Sequence, residues 1–428
     1  MKKILMLALA ACVFAGCRAK DDSKTLRFRY WGDTEEIKII SSMIRDFEGR
    51  HPGVKVKDER KPAGASQYSE ILMTEFAANA APDVIFAVAE IKDVLAEGHL
   101  LENLDPFLAK DPDIKKSDYY PSLISRFSSD GQLLILPRDI APFACVYYNK
   151  DLFKKAGATL PKDSWNWNDL RAASAKIARL KDAKGGPIFG FADDWPMYDA
   201  WVLSSGGAMV DNYAKPHRIT MDSPAALRGL LFRWDLMNTD HSMPSGGDQQ
   251  ALSGGTMAMF LNGKLGMFYS GSWKIPEFRK IQDFDWDMAM FPKGPEGKRG
   301  FASGGSGFGM RKGCKNPDLA WELIRFLAGP EGQARIAPTG LLQPAIKKLA
   351  DSPAFLNGGK PANKRMLLAA AEIGLQPPAS TKWLTIDGDV LGPIMGQIWL
   401  PGFQRAEVAA KVKEACDKAN QKYFGAAK

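Results

Sequence analysis

The stretch that decides the fold is LRFRYWGDTEEIKIISSMIRDFEGRHPGVKV, residues 26–56. Its first six residues alternate in polarity as a β-strand does, and Gly32 with Asp33 then turns the chain. Asp33 and Glu36 have the spacing of a capping box, which predicts the start of a helix. Isoleucines and a phenylalanine follow at helical spacing until Gly49, and the last three residues form a second predicted strand.

The same alternation continues beyond this stretch. Tyr68 to Phe76 has the apolar spacing of a second helix, residues 84–88 form a buried-strand run, and residues 94–101 favour a short helix. The resulting β-α-β-α-β order predicts an α/β fold with a mainly parallel sheet covered by helices. The alternation resumes after Pro137, and 428 residues suffice for two or three globular units, or one fold with two lobes.

Composition excludes several classes of protein. Hydrophobic residues make up 45% and charged residues 25% of the chain, so a large core can form and extended disorder is excluded. The formal net charge is +8, and without Lys2 and Lys3 it is 55 − 49 = +6. No long run of basic residues occurs, which argues against a nucleic-acid partner. The 11 tryptophans are an unusually large number for a chain of this length.

The N-terminus predicts export. A basic start is followed by an apolar run from Ile4 to Phe14, too short to span a bilayer and typical of a secretory signal. Residues 14–17 resemble a bacterial lipobox, with Phe14 where Leu is usual. We therefore expect residues 1–16 to be a signal peptide, Cys17 to carry the lipid and residues 17–25 to be a tether. The protein would then be lipid-anchored on the outer side of the cytoplasmic membrane or in the periplasm. The alternative is that an ordinary signal peptide is cleaved nearby and the protein is free and soluble.

Signatures of catalysis, cofactors and metals are absent from the sequence. No Walker A, G-x-G-x-x-G, G-x-S-x-G or HExxH motif occurs, so we expect no cofactor, no metal and no enzymatic activity. Carboxylates are plentiful, however, and a secreted glycosidase with two catalytic carboxylates stays open. The cysteines that follow the leader and Cys17 are Cys145, Cys314 and Cys416, and no two of them form a CxxC motif. One disulfide among them is possible, but buried free thiols are favoured.

Several segments together resemble the bacterial extracellular solute-binding proteins, the family of maltose-binding protein. Each segment alone is weakly specific, but their order along the chain is characteristic. They are APDV at 81–84, YYNKDLFKKAG at 147–157, WNWNDL at 165–170, FLNGKLGM at 260–267 with GSW at 271–273, Gly304-Gly305, and AWELIRFL at 320–327. Asn166 stands where the family usually has a Thr cap, and with Asp169 at the third helical position it predicts the start of a helix. Gly266 stands where the family usually has Ala.

This resemblance implies a two-lobed periplasmic-binding-protein fold with a ligand cleft between hinge-linked lobes. Lobe one would comprise residues 26–139 with 292–342, and lobe two residues 143–288 with 346–428. Members of the family are the substrate receptors of ABC importers, often for sugars. The implied partners are therefore a carbohydrate and the transmembrane subunits of a permease, and we expect a monomer.

Binding residues can be argued from the chemistry of sugars. Tryptophan stacks on the apolar face of a sugar ring, and carboxylates accept hydrogen bonds from its hydroxyls. Open α/β sheets bind ligands beyond the carboxyl ends of their strands. Trp31 and Asp33 lie at such an end, and the family also has ligand contacts there, which favours Trp31, Asp33 and Glu35 as ligand-binding residues. The alternative is that Asp33 only caps the helix.

The resemblance implies further contacts, each with a structural alternative. The alternatives are a solvated Glu90, a hinge salt bridge between Asp139 and Arg138, and tryptophans that belong to the core. Backbone N–H groups of the glycine pair could approach a ligand closely, or the pair could be a flexible connection. The residues implied are Glu90, Asp139, Asp194, Trp195, Trp273, Gly304, Gly305, Trp383 and Trp399.

The predicted function is a lipid-anchored receptor that captures a sugar or oligosaccharide and closes by hinge bending, because ligand touches both lobes only in the closed state. A glycerophosphodiester or another polar solute is the alternative ligand. Arg138 and Lys274 lining the cleft with few carboxylates would favour that alternative. A sensor or adhesin built on the same fold is a further alternative.

Overall fold

A computed structural model describes residues 24–60, 65–250 and 255–425 of the chain. The predicted signal peptide, Cys17 and nearly all of the predicted tether lie outside these residues. None of the helices in this part of the chain combines the length and apolarity needed to cross a membrane.

The strands of the described residues are short, and most are flanked by helices. In chain order they are β1 (Thr25–Tyr30), β2 (Lys55–Arg60), β3 (Val84–Val88), β4 (Ser128–Ser129), β5 (Gln132–Leu133), β6 (Ile135–Pro142), β7 (Cys145–Asn149), β8 (Phe189–Asp193), β9 (Leu265–Ser270), β10 (Trp286–Met290), β11 (Ser303–Met310) and β12 (Gln343–Pro344).

Two sheets carry nearly all of these strands. The larger has six strands in the order β12-β6-β11-β3-β1-β2, and the smaller has four in the order β10-β7-β9-β8. Strand β1 runs parallel to both of its neighbours, as does β8 to β9. Strand β11 is antiparallel to β3 and β6, and β7 is antiparallel to β9 and β10. The α/β class is thus confirmed, but the mainly parallel sheet is wrong, because polarity patterns fix strand periodicity and not strand direction.

Helices flank both sheets, and α1 packs its apolar face against the larger one. In chain order they are α1 (Thr34–Arg50), α2 (Ala65–Ala77), α3 (Ala89–Glu97), α4 (Asp105–Leu108), α5 (Pro121–Arg126), α6 (Lys150–Lys155), α7 (Trp167–Ile177), α8 (Tyr198–Ser204), α9 (Pro224–Asn238), α10 (Gly246–Gln250), α11 (Gly255–Leu261), α12 (Ile275–Phe278), α13 (Pro317–Ala328), α14 (Pro330–Ile336), α15 (Lys347–Ala350), α16 (Pro353–Leu356), α17 (Met366–Ile373), α18 (Trp383–Ile386), α19 (Gly392–Ile398) and α20 (Val408–Tyr423).

The two predicted helix caps have different outcomes. At α7 the capping box is confirmed: the Asn166 side chain accepts from the N–H of Asp169, whose carboxylate accepts from the N–H of Asn166. At α1 Asp33 does occupy the N-cap position, but its side chain makes no capping bond. The Asp33 carboxylate instead contacts the ammonium group of Lys274. The Glu36 carboxylate contacts the guanidinium group of Arg138. Bonds between charged groups are roughly twice as strong as neutral ones.

Each sheet has its own apolar core. One buried cluster surrounds the six-stranded sheet and includes Phe28, Phe86 and Phe308. Two clusters lie on the four-stranded sheet, one containing Trp201 and the other Trp286. A further cluster joins α8 and α9 to the C-terminal helices α19 and α20. Cys145, Cys314 and Cys416 are free thiols, as the sequence favoured.

The glycine-rich segment around residue 305 is a strand and not the loose connection that its composition suggested. All eight residues of β11 are buried. A β-carbon added at Gly307 would lie 2.3 Å from the carbonyl oxygen of Leu136, and one at Gly305 would lie 2.7 Å from that of Asp139. Glycine is therefore required at these two positions because the neighbouring β6 backbone approaches so closely.

Candidate functional site

A cavity of about 840 Å³ lies between the carboxyl ends of strands from both sheets. Residues that follow β1 and β3 of the larger sheet contribute to its wall, together with residues that follow β8 and β9 of the smaller one. The loop around Leu375 and the helices α8 and α18 also contribute to the lining. The cavity therefore touches both halves of the molecule, which is where a small ligand binds most often in two-lobed α/β proteins.

Three aromatic side chains form one wall of the cavity. The rings of Trp195 and Trp273 are nearly parallel, with an interplanar angle of 16° and centroids 6.2 Å apart. Phe143 lies edge-on to both, with its centroid 5.3 Å from that of Trp273. The side chain of Trp195 is 45% exposed, a large apolar area to leave accessible to solvent. An exposed tryptophan beside a stacked partner is a surface on which an apolar ligand face can pack.

The position of the Trp273 ring depends on the residue two places before it. The ring lies so close over Gly271 that an added β-carbon there would be 2.0 Å from the ring atom Cζ3. The Tyr147 hydroxyl donates to the Gly271 carbonyl at 2.7 Å, which holds the backbone in place. The G-x-W spacing thus positions the indole, because only glycine leaves room for it.

Trp31 lines another part of the cavity at the end of β1. Its ring packs at 4.4 Å from that of Tyr68 and at 4.6 Å, nearly perpendicular, from that of Phe86. Trp31 is only partly buried, and it packs against the core of the larger sheet. The strand end and this packing fix its orientation at the cavity.

The first cation in the cavity, Lys274, is bound by two carboxylates. Its ammonium group lies 3.0 Å from Asp33 Oδ2 and 3.0 Å from Asp194 Oδ2. Ser270 Oγ also donates to Asp194 Oδ2, at 2.9 Å. Burial alone would lower the pKa of Lys274, but the Asp194 and Asp33 carboxylates outweigh it and raise that pKa. Lys274 therefore stays protonated, and the two carboxylates that contact it balance its positive charge.

The second cation, Arg138, is buried in a network of its own. Its guanidinium donates to Glu36 Oε1 at 2.9 Å, to Asp139 Oδ2 at 3.1 Å and to Ser306 Oγ at 2.9 Å. The Ser306 hydroxyl and backbone N–H also donate to Asp139. Burial raises the pKa of both Glu36 and Asp139, and Arg138 partly offsets that rise. The Arg138 Nη1 group is buried without a hydrogen-bond partner, so one donor of this network is unused.

Three other carboxylates line the cavity. Burial raises the pKa of Glu90, and raises that of Asp199 to about 6. Burial also raises the pKa of Asp387, partly offset by the Tyr198 hydroxyl, which donates to Asp387 Oδ1 at 2.9 Å. None of the salt bridges among the described residues includes any of these three carboxylates. They are hydrogen-bond acceptors available to a ligand.

Most of the residues predicted from the sequence lie together at this cavity. They are Trp31, Asp33, Glu90, Asp139, Asp194, Trp195, Trp273, Gly304, Gly305 and Trp383. Asp139 is also bonded to Arg138, the alternative considered for it, and it is only 1% exposed. A β-carbon at Gly304 would approach nothing closer than 3.9 Å, so this residue leaves open space beside the Glu90 carboxylate.

The structure does not bring Glu35 and Trp399 to the cavity. Glu35 points along the outside of α1 and pairs at 2.7 Å with Lys38 and with Lys280. Trp399 is 7% exposed in the C-terminal core, with the guanidinium of Arg233 4.1 Å from its ring centroid. We therefore leave both residues out of the proposed site.

Sequence reasoning missed several of the lining residues. Glu36 had been assigned to helix capping, and Phe143 lies directly after the crossing between the sheets. Tyr198, Asp199 and Asp387 belong to segments whose motif matches are weak or absent. Tyr198 and Asp199 follow Asp194 and Trp195 closely in the sequence, and this proximity is the one signal that could have suggested Tyr198 and Asp199.

Comparison with known proteins gives a consistent result. The family model described as bacterial extracellular solute-binding protein matches residues 31–334. A putative binding protein of Brucella abortus is 26% identical over 394 residues, which is 90% of this chain and 88% of that protein. A glycerol-3-phosphate-binding periplasmic protein of the same species is 29% identical, but over only 41% of this chain and 39% of its own length.

Solved structures share the architecture. The ABC substrate-binding protein Lmo0181 from Listeria monocytogenes, in complex with cycloalternan, superimposes with a TM-score of 0.80 at 21% identity, covering 93% of this chain and 98% of that one. The maltose-bound MalE3 of T. maritima gives a TM-score of 0.77 at 20% identity, covering 92% and 98%. At such identities these likenesses show the two-lobed fold and no more.

Proposed function

The chain belongs to the bacterial extracellular solute-binding proteins of ABC transporters, and from this membership we propose that its ligand is a sugar or oligosaccharide. The cleft would close around the sugar by hinge bending, and the closed receptor would deliver it to the permease. Binding occurs without turnover, so no residue is assigned a catalytic role.

The observation that carries this proposal is the combination of side chains in the cavity. The stacked pair Trp195 and Trp273 offers an apolar face for the C–H side of a sugar ring. The carboxylates of Glu90, Asp199 and Asp387 offer acceptors for its hydroxyl groups. A cavity of about 840 Å³ also lies within the usual range of ~300–1,000 Å³ for small-molecule sites.

The charge of the cavity disfavours a phosphate ligand. Its lining includes seven carboxylates, namely Asp33, Glu36, Glu90, Asp139, Asp194, Asp199 and Asp387, and two cations, Arg138 and Lys274. Both cations are already paired with carboxylates at 3.1 Å or less. A phosphodiester would have to displace carboxylates from Lys274 and Arg138 before it could pair with either cation. We therefore rank a sugar above glycerol-3-phosphate, the ligand named for one relative.

We further propose the lobes and the anchor expected from the sequence. Lobe one would be residues 26–139 with 292–342, and lobe two residues 143–288 with 346–428. The larger sheet takes β1, β2, β3, β11 and most of β6 from the first set, and the smaller takes β7, β8, β9 and most of β10 from the second, which supports this division. Strand β12 of the larger sheet lies between the two sets. The lipid on Cys17 would keep the receptor near its permease. Mass spectrometry of the protein from bacterial membranes tests the anchor; a mature form without diacylglycerol would exclude it.

Thermal shift tests the ligand class, because a ligand that binds only the native state raises the unfolding midpoint. The purified protein is screened against mono- and oligosaccharides, including maltose and maltotriose, and against glycerol-3-phosphate and glycerophosphocholine. At a ligand concentration of ~100 Kd the stabilisation is about 2.7 kcal/mol. Sugars are expected to raise the midpoint; a shift with the phosphates and with none of the sugars would overturn the assignment.

Substitution of Trp273 connects any such shift to the cavity. Trp273→Ala is expected to abolish the shift while the unliganded protein still unfolds cooperatively. Trp273→Phe is the matched control, since it keeps an aromatic ring at the wall and should retain part of the shift. Unchanged affinity in Trp273→Ala would remove this residue from the site.

A further inference from the structure

One ion pair at the cavity joins the two sheets. Asp33 follows β1 of the six-stranded sheet, whereas Asp194 and Lys274 follow β8 and β9 of the four-stranded sheet. The Lys274 ammonium group contacts both carboxylates at 3.0 Å. The Lys274–Asp194 contact lies within one half of the molecule and survives any movement of the halves. Of these two contacts of Lys274, the one with Asp33 crosses from one half to the other.

The contact between Lys274 and Asp33 is partly buried. The side chain of Lys274 is 8% exposed, that of Asp194 14% and that of Asp33 41%. A partly buried pair of charges is screened less by salt than an exposed pair and is stronger. Asp33 makes no capping bond to α1, so its carboxylate is committed to Lys274.

A second ion pair crosses between the same two segments and provides a comparison. Glu35, two residues after Asp33, contacts Lys280, six residues after Lys274, at 2.7 Å. Here the lysine side chain is 51% exposed, and Glu35 also pairs with Lys38. Pairs with an exposed lysine of this kind contribute little to stability, because solvent and salt screen them. The two pairs therefore share their location and charge but differ in the exposure of the lysine, since Lys274 is 8% exposed and Lys280 51%.

We propose that the Asp33–Lys274 pair is a positioning contact that favours the closed cleft before any ligand arrives. This inference rests on the proposed hinge closure. Lys274 holds the ligand-facing carboxylates of the two halves together, and Trp273, the residue before it, packs against the core of the larger sheet. The apparent Kd of a receptor equals its intrinsic Kd divided by the fraction of molecules in the binding-competent state. A contact that raises this fraction before ligand arrives therefore lowers the apparent Kd.

The test uses the unliganded protein, so it does not depend on the identity of the ligand. Asp33→Asn removes the negative charge of the crossing ion pair, and Glu35→Gln makes the same change of charge two residues away. Small-angle X-ray scattering of both variants and the wild type measures the radius of gyration. Asp33→Asn is expected to give a larger radius than the wild type, and Glu35→Gln the wild-type value.

Two outcomes would overturn the inference. Equal radii in all three proteins would show that the pair does not bias the cleft. Expansion in both variants would show a general effect of charge and not a role of this pair. If Asp33→Asn fails to fold by circular dichroism, Lys274→Met breaks the same contact and is measured in its place, with Lys280→Met as its control.

The inference and the proposed function fail in distinguishable ways. Expansion of Asp33→Asn in a protein that no sugar stabilises would support the contact and refute the sugar assignment. Sugar stabilisation of a wild type whose radius equals that of Asp33→Asn would support the sugar assignment and refute the contact. Because Asp33 also lines the cavity, a change of affinity in this variant is not used as evidence for closure.

Discussion

Replacement of Gly271 by alanine tests whether the Trp273 ring must occupy its observed place. The backbone at Gly271 is extended, with φ −111° and ψ −179°, so alanine adopts it without strain. The new β-carbon, however, would lie 2.0 Å from Cζ3 and 2.2 Å from Cη2 of the ring. An ordinary contact begins near 3.4 Å, so the atoms must separate by at least 3.4 − 2.0 = 1.4 Å. Because Tyr147 holds the Gly271 carbonyl, the ring has to move.

The displaced ring would leave its position beside Trp195 and Phe143 and lose its contact with a bound sugar. Loss of one aromatic anchor typically costs more than ~1.4 kcal/mol of binding free energy, which is about a tenfold weaker Kd. The stability of the unliganded protein should change little, since no buried polar group loses its partner.

Calorimetric titration with the sugar that stabilises the wild type measures this loss, and near-ultraviolet circular dichroism reports the altered tryptophan environment. Gly49→Ala is the matched control, because a β-carbon at Gly49 would meet nothing within 4 Å. It should bind like the wild type. Wild-type affinity and an unchanged aromatic spectrum in Gly271→Ala would refute the reasoning.

Three further predictions concern charge and exposure at the cavity. Arg138→Met leaves the buried carboxylates Glu36 and Asp139 unpaired and should lower the unfolding free energy by ~3–5 kcal/mol at pH 7. The pKa values of Glu36 and Asp139 are already raised by burial and would rise further in this variant, so its folded state binds more protons than its unfolded state. Urea titration should therefore find a smaller loss of unfolding free energy at pH 5 than at pH 7; an equal loss at both would contradict this. With a folded pKa of about 6, above its unfolded value, Asp199 destabilises the protein increasingly as the pH rises from about 4 through 6, so Asp199→Asn should raise the melting midpoint at pH 7.5 but not at pH 4. Trp195→Ala, at a side chain 45% exposed, should leave the melting midpoint nearly unchanged yet weaken sugar binding, and calorimetry showing the wild-type Kd would exclude Trp195 from the site.

The elements were largely predictable because local periodicity determines them. The apolar spacing from Ile37 onward predicted α1, and the Asn166 cap predicted the start of α7, both of which the structure has. The glycine-rich β11 was not predictable in this way. Gly305 and Gly307 are required by the approach of the β6 backbone, which is more than 160 residues away in sequence, and nothing local indicates that contact.

The candidate site was predictable where a side chain directly follows a strand. Trp31, Asp194 and Trp273 lie at strand ends, and all three line the cavity. Trp399 was misplaced, because a tryptophan in a helical segment has the same local pattern whether it faces a cleft or a core. Asp387 was missed because only the packing of the C-terminal segment brings it beside Tyr198.

The sequence by itself determined the α/β class, the family and ten of the residues that line the cavity, since these follow from periodicity, motif order and strand ends. Only the tertiary structure decided what the charged residues do. Asp33 and Glu36 have the spacing of a helix cap, yet Lys274 and Arg138, each more than 100 residues away, take their carboxylates. A charged partner in a partly buried cleft interacts more strongly than a backbone N–H at a solvated helix end, and its position is set by the fold and not by sequence spacing.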